Sequence, residues 1–162
     1  MQTRQFLADE TLTAPLLTSL AGREVLVLQA STAFDPGEAV PAVAAMYALD
    51  SGNLAAMIAM DIGLASSLAC AMVLIPPVIA EESKKTGRLD ASLRDNLKEI
   101  LGIANRLLRT GYSARLRMAE IDYGPVLGGT YRFQSTAIVA RQDFQVGVPG
   151  YPGGRLALLA LR

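Results

Sequence analysis

Residues 90–109 read DASLRDNLKEILGIANRLLR, and this stretch organises the rest of the chain. Leu93, Leu97, Ile100, Leu101, Ala104, Leu107 and Leu108 recur at steps of three and four, which stacks them on one side of an α-helix. The opposite side carries Arg94, Asp95, Lys98, Glu99, Gly102, Arg106 and Arg109. Asp90 can cap the start, with Ser92 and Asp95 as a weaker alternative, and Gly111 follows as a stop. Acidic residues in the early turns and arginines in the last suit the helix dipole.

Upstream, residues 3–20 read as an amphipathic helix that Pro15 should kink near Ala14 and Gly22 should end. Arg23–Gln29 (REVLVLQ) is contiguous in apolar residues, which suggests a strand covered on both faces. Residues 31–38, with Pro36-Gly37, read as a loop. Val40–Leu49 and Leu54–Met60 flank Asp50-Ser51-Gly52-Asn53. The alanines favour helix, but the polar turn between two apolar runs decides for a hairpin. Gly63–Ile75 reads as a buried helix ending before Pro76-Pro77, and Val78–Thr86 as a further short helical turn.

Downstream, the period changes. Residues 114–121 alternate Leu116, Met118 and Ile121 against Arg115, Arg117 and Glu120, a half-buried strand. Gly124-Pro125 and Gly128-Gly129 mark loops. Gln134–Val148 is strand-like, with a break near Arg141, and Arg155–Leu161 is the last strand. A helix followed by about three strands thus occurs twice. The expected fold class is α+β, an antiparallel sheet with helices packed on one face and a pseudo-two-fold rhythm, in one domain over residues 1–162.

Composition bounds the chemistry. Fifteen basic residues balance fifteen acidic ones, so no nucleic-acid partner is expected. There is no histidine and one cysteine, Cys70, which excludes histidine-based triads, histidine metal sites and an internal disulfide. Cys70 lies in an apolar run and reads as core. No cofactor and no metal site are expected. Residues 62–80 are uncharged, but Pro76-Pro77 and the flanking Asp61 and Glu81 favour a core helix over a membrane span. MQTRQFLADE lacks the basic start and apolar run of a leader, and a cytoplasmic protein without membrane attachment is expected.

The spacing on the organising helix resembles the CheC, CheX and FliY group of chemotaxis phosphatases. Their helix carries Asp or Ser, three residues, Glu, two residues, Asn, then 22 residues and Pro. Here Asp95 and Glu99 match, Gly102 stands where the Asn belongs, and 22 residues separate it from Pro125. MYALDSGNLAAMIAM and the tail VGVPGYPGGRLALLAL are similar to that group's hairpins. The resemblance implies docking of a response regulator, with the Glu pairing to a partner lysine and the Asn amide placing the attacking water. Gly102 has no side chain to do so. Asn105 is turned away, and Asn96 shares the Glu99 face but would serve only a reversed partner.

The reading is therefore a binding domain, without efficient phosphatase activity, that docks its partner through Asp95, Glu99, Gly102 and Pro125. The plain explanations stand beside it: a solvated charged face, and a glycine that allows close packing by another helix or a slight bend. The alternative class is a structural or homo-oligomerising protein, a homodimer joined by an edge strand. A small-molecule enzyme would need a deep pocket lined by Asp122, Tyr123 and a carboxylate.

Overall fold

The computed structural model describes residues 7–35, 40–108, 116–124, 127, 131, 134 and 136–161. In chain order the elements are α1 (Glu10–Ala21), β1 (Leu26–Gln29), β2 (Ala42–Ala48), β3 (Leu54–Asp61), α2 (Ile62–Ala71), α3 (Pro77–Thr86) and α4 (Ala91–Ala104). A 3₁₀ turn (Asn105–Leu107), β4 (Arg117–Tyr123), β5 (Ile138–Gly147) and β6 (Gly154–Leu161) follow. The strands form one sheet in the order β1-β5-β6-β3-β2-β4, with every neighbouring pair antiparallel.

The β2–β3 hairpin is the centre of this arrangement. Its turn closes with Leu49 N–H on Asn53 O at 3.0 Å and Gly52 N–H on Leu49 O at 2.8 Å. All seven residues of β2 are buried, so its alanines pair as strand against their helical propensity. Packing on both faces decides the conformation here. On one face Val43, Ala45, Tyr47, Ile58, Met60, Leu156 and Leu158 meet α1, α2 and α4. On the other, Ala44, Met46, Met57, Ala59, Ala157 and Leu159 are covered by Phe34, Leu127 and Tyr131. Every residue of α2 is buried, whereas α3 leans on α2 through Ala80 and Ser83.

The repeated rhythm is realised as topology. Exchanging β1 with β4, β2 with β5 and β3 with β6 reverses the strand order and regenerates the same sheet. The pseudo-two-fold passes between β3 and β6, whose ladder is centred on the pair Ile58↔Leu158. Helices α1 and α4 precede the three strands of their respective halves.

Several expectations need correction. β1 is an edge strand rather than a covered one: only Val27 turns inward, and Leu26 and Leu28 are 61% and 67% exposed. Contiguous apolar sequence carries no information about a strand's place in the sheet. Helix α1 starts at Glu10 on an Asp9 cap and runs through Pro15 unbroken. Pro15 and Thr11, whose carbonyl the ring deprives of a donor, are both exposed, so water can satisfy that carbonyl. Helix α4 ends at Ala104, before the 3₁₀ turn, and Arg109 and Gly111 lie outside the described residues. So do Pro36, Gly37, Arg115, Gly128 and Gly129.

In β4 a register shift opposite Met46/Tyr47 skips Ala119, which explains how Met118 and Ile121 share the helix-facing side despite an odd spacing. The irregularity in β5 lies between Ile138 and Ala140, ahead of Arg141. The uncharged run 62–80 is split between α2 and α3. Among the described residues no helix is long and apolar enough to cross a membrane.

Candidate docking face on helix α4

Helix α4 is clamped from beneath, and this decides which of its residues are free. The Asp90 carboxylate accepts from Leu93 N–H at 2.8 Å, so the first of the two cap readings is the one realised. Leu93, Leu97, Ile100, Leu101 and Ala104 are buried as the periodicity requires. The Tyr47 hydroxyl, deep in the sheet face, donates to Leu101 O at 2.6 Å. Asn96 donates to Ala69 O of α2 at 3.2 Å, and Asn105 donates to Leu116 O at 2.9 Å. Both asparagines are thus committed to the fold. Asn96 is not available to orient water even for a reversed partner.

What remains outward is Asp95, Lys98, Glu99 and Gly102, all exposed. Among the described residues the ion pair found is Arg141–Asp143 at 2.7 Å on the far half of the sheet, so the carboxylates of α4 are not bridged. A Cβ built on Gly102 meets nothing within 4 Å. Among the described residues no other helix approaches it, so close packing does not explain this glycine.

The face has a defined end. Arg94 lies over the Tyr123 ring at 4.6 Å from its centroid and donates through Nε to Leu89 O at 3.1 Å. Burial raises the Tyr123 phenol above its usual range. Arg94 opposes that shift and Asp95 adds to it. Tyr123 pairs with Val43, while Leu101 sits over Tyr47, so β4 runs antiparallel to α4 and finishes beside Asp95. Gly124 is held there against Ala42 by an N–H···O bond of 2.6 Å. Pro125, the last residue of the spacing pattern, lies outside the described residues.

An open groove of about 310 Å³ runs between α4 and β4, lined by Lys98, Met118, Ala119, Glu120, Ile121 and Tyr123. It contains Tyr123 and a carboxylate but not Asp122, and it is a surface trough rather than the deep pocket an enzyme reading needs. No cluster of three metal-ligating side chains occurs among the described residues. Cys70 is fully buried, with its thiol pushed up to about 11, first by burial and then by Asp90. The sequence carried no signal for the Arg94–Tyr123 stack or for the Asn96 and Tyr47 clamps, because each joins elements far apart in the chain.

No family model matches the chain, and no curated protein matches it in sequence. Solved structures do match. FliM from H. pylori, in a FliM–SpeE complex, aligns at TM-score 0.63 and 9% identity over 94% of this chain and 81% of that one. FliY of Thermotoga maritima aligns at TM-score 0.55 and 14% identity over 91% and 81%. The FliM middle domain of Vibrio alginolyticus aligns at TM-score 0.53 and 13% identity over 94% and 88%. With its six-stranded antiparallel sheet, its helical layer and these neighbours, the chain has the CheC/CheX/FliY-type fold.

Proposed function

We propose that this chain is a non-catalytic docking domain of chemotaxis or flagellar signalling. It acts as one cytoplasmic domain and holds a response-regulator-like protein against the Asp95–Glu99–Gly102 face of α4. The observation that carries the reading is the pairing of an unbridged, exposed Glu99 with an open Gly102 one turn on. A glycine on an exposed helix face costs about 1 kcal/mol relative to alanine. Close approach of a partner backbone is a reason to retain it. The fold neighbours supply the pathway class: two are FliM chains and one is FliY, and the H. pylori FliM was crystallised with a protein partner.

The same position argues against efficient catalysis. Hydrolysis of an aspartyl-phosphate needs a side chain that orients water. Gly102 supplies none, and both nearby asparagines are bonded elsewhere.

The test is a titration of phosphorylated response regulators with magnesium, reading both binding and loss of phosphate. Binding that weakens at least tenfold in Glu99→Ala, with phosphate lost at the regulator's own rate, is expected. Rapid dephosphorylation abolished by Glu99→Ala overturns the non-catalytic reading. Binding indifferent to Glu99→Ala overturns the docking face. Gly102→Asn is the complementary variant, expected to add hydrolysis if the face descends from a phosphatase site.

A further inference from the structure

By the helical period, the residues of α4 that stay out of the core fall into rows. Asp95, Glu99 and Gly102 form the outward ridge, and Arg94 and Lys98, with the capping Asn105, form the flank that looks toward β4. Both ends of this flank are fastened to the strand side. Arg94 stacks on Tyr123 at 4.6 Å, and Asn105 donates to Leu116 O at 2.9 Å. Lys98, midway between them, makes no hydrogen bond or ion pair among the described residues. It borders the open trough of about 310 Å³ between helix and strand.

The floor of the trough is apolar. The bulge that skips Ala119 brings Met118 and Ile121 to the same side of β4, and Tyr123 extends the row. All three are only partly buried: they pack on the core from one side and are open on the other. Ala119 is small and exposed, which keeps the outer wall low. Glu120 borders the trough as well, but its register partner Met46 belongs to the opposite face of the sheet. Lys98 is thus the unpaired charge on the helix side. The volume is at the bottom of the range for ligand pockets, and with one side open the trough suits a single side chain.

Gly102 gives access to it. Leu101 sits over Tyr47, whose register partner is Met118, so the bare position stands level with the Met118 end of the trough. A Cβ at Gly102 meets nothing within 4 Å. A chain crossing the ridge there can drop into the trough without displacing a side chain. The charges set its direction, since the ridge carries Asp95 and Glu99 and the flank carries Arg94 and Lys98.

We infer that the trough is the second contact of the α4 docking face, an inference that rests on the docking reading of that face. Its occupant is an apolar side chain of the response-regulator-like partner. That side chain lies between a cation over Glu99 and a carboxylate that meets Lys98. Such a pattern of an apolar anchor between complementary charges fixes the register of the partner as well as its affinity.

Titration of the full chain with a panel of phosphorylated response regulators and magnesium tests the idea, with Glu99→Ala as the reference variant. Lys98→Glu and Ala119→Phe, both at exposed positions, are expected to keep the native circular dichroism and melting curve while weakening binding at least tenfold. Lys98→Arg is expected to bind like wild type. Ala119→Cys is expected to react readily with a thiol reagent in the free protein and at least tenfold more slowly under saturating regulator, the native Cys70 being buried. Binding that falls in Glu99→Ala but not in Lys98→Glu or Ala119→Phe overturns the trough and leaves the ridge reading standing. Binding indifferent to Glu99→Ala, or no binding by any regulator, overturns the ridge reading and this inference with it. Protection of Ala119→Cys that grows with protein concentration in the absence of regulator puts a second copy in the trough and overturns the assignment of its occupant.

Discussion

The carboxylate of Asp61, at the end of β3, accepts a hydrogen bond from the backbone N–H of Arg155, 94 residues later in β6, at 2.9 Å. Its other oxygen accepts from Leu64 N–H at 2.8 Å and so caps α2. One side chain thus ties the buried helix to both strands beside the pseudo-two-fold axis. The tie needs bare backbone: a Cβ on Gly154 would lie 2.0 Å from Asp61 Oδ1.

Two glycine substitutions should therefore act in opposite directions. Gly154→Ala displaces Asp61 and is expected to cost about 3 kcal/mol, overpacking combined with lost capping. Gly102→Ala enters open space on a helix and is expected to add up to about 1 kcal/mol, raising the melting temperature by about 2–4 °C. Urea unfolding of the two variants checks both. Destabilisation by Gly102→Ala would falsify the account of α4 as unpacked at that turn.

Acidity should act on Asp61 against the usual carboxylate trend. Burial raises its pKa, opposed by the Leu64 and Arg155 N–H groups and by the charges of Lys84 and Arg155. The folded chain then binds this proton more tightly than the unfolded chain, whose value is near 3.8. The contribution is full below that value and is lost as pH rises through the raised folded value. Wild type is expected to gain stability relative to Asp61→Asn as pH falls from about 7 to about 4. Paired urea curves across that range measure the difference. A difference that shrinks on acidification contradicts the assignment.

Leu74 is the one described non-glycine residue with positive φ, 60°, and it is 78% exposed in the turn between α2 and α3. A left-handed backbone costs a branched residue about 1–2 kcal/mol. With little packing to lose, Leu74→Gly is expected to stabilise by up to about 1 kcal/mol after the added freedom of the unfolded chain is subtracted. Thermal melts decide it. A lower melting temperature would mean that the leucine side chain makes a contact worth more than the strain.

Cys70 should be chemically silent in the folded protein. Its thiol is fully buried and pushed up to about 11, so thiolate is scarce at neutral pH. A colorimetric thiol reagent is expected to titrate one group in denaturant and none in native buffer. Fast native labelling would show that α2 opens readily.

Much of the local architecture was legible beforehand. The stripe of α4, its Asp90 cap, the turn at residues 50–53 and the start of α3 at Pro76-Pro77 each rest on residues within a turn or two of one another, whereas α2 stops at Ala71 and not at Ile75. The pattern Asp95, Glu99, Gly102 was equally legible, as was the empty place where an asparagine was expected. The bulge that skips Ala119 was half visible, since Met118 and Ile121 could not share a face of a regular strand.

Sequence alone determined the apolar stripe of α4, the polar turn at residues 50–53 and the lack of histidine in this chain, because spacing and residue type settle those within one element. Tertiary structure alone decided which strand lies at an edge, which leucines stay wet and which asparagines are already bonded. It also decided that Gly102 faces open space. Those outcomes depend on groups tens of residues apart arriving at the same place, and no local pattern records which partner each will meet.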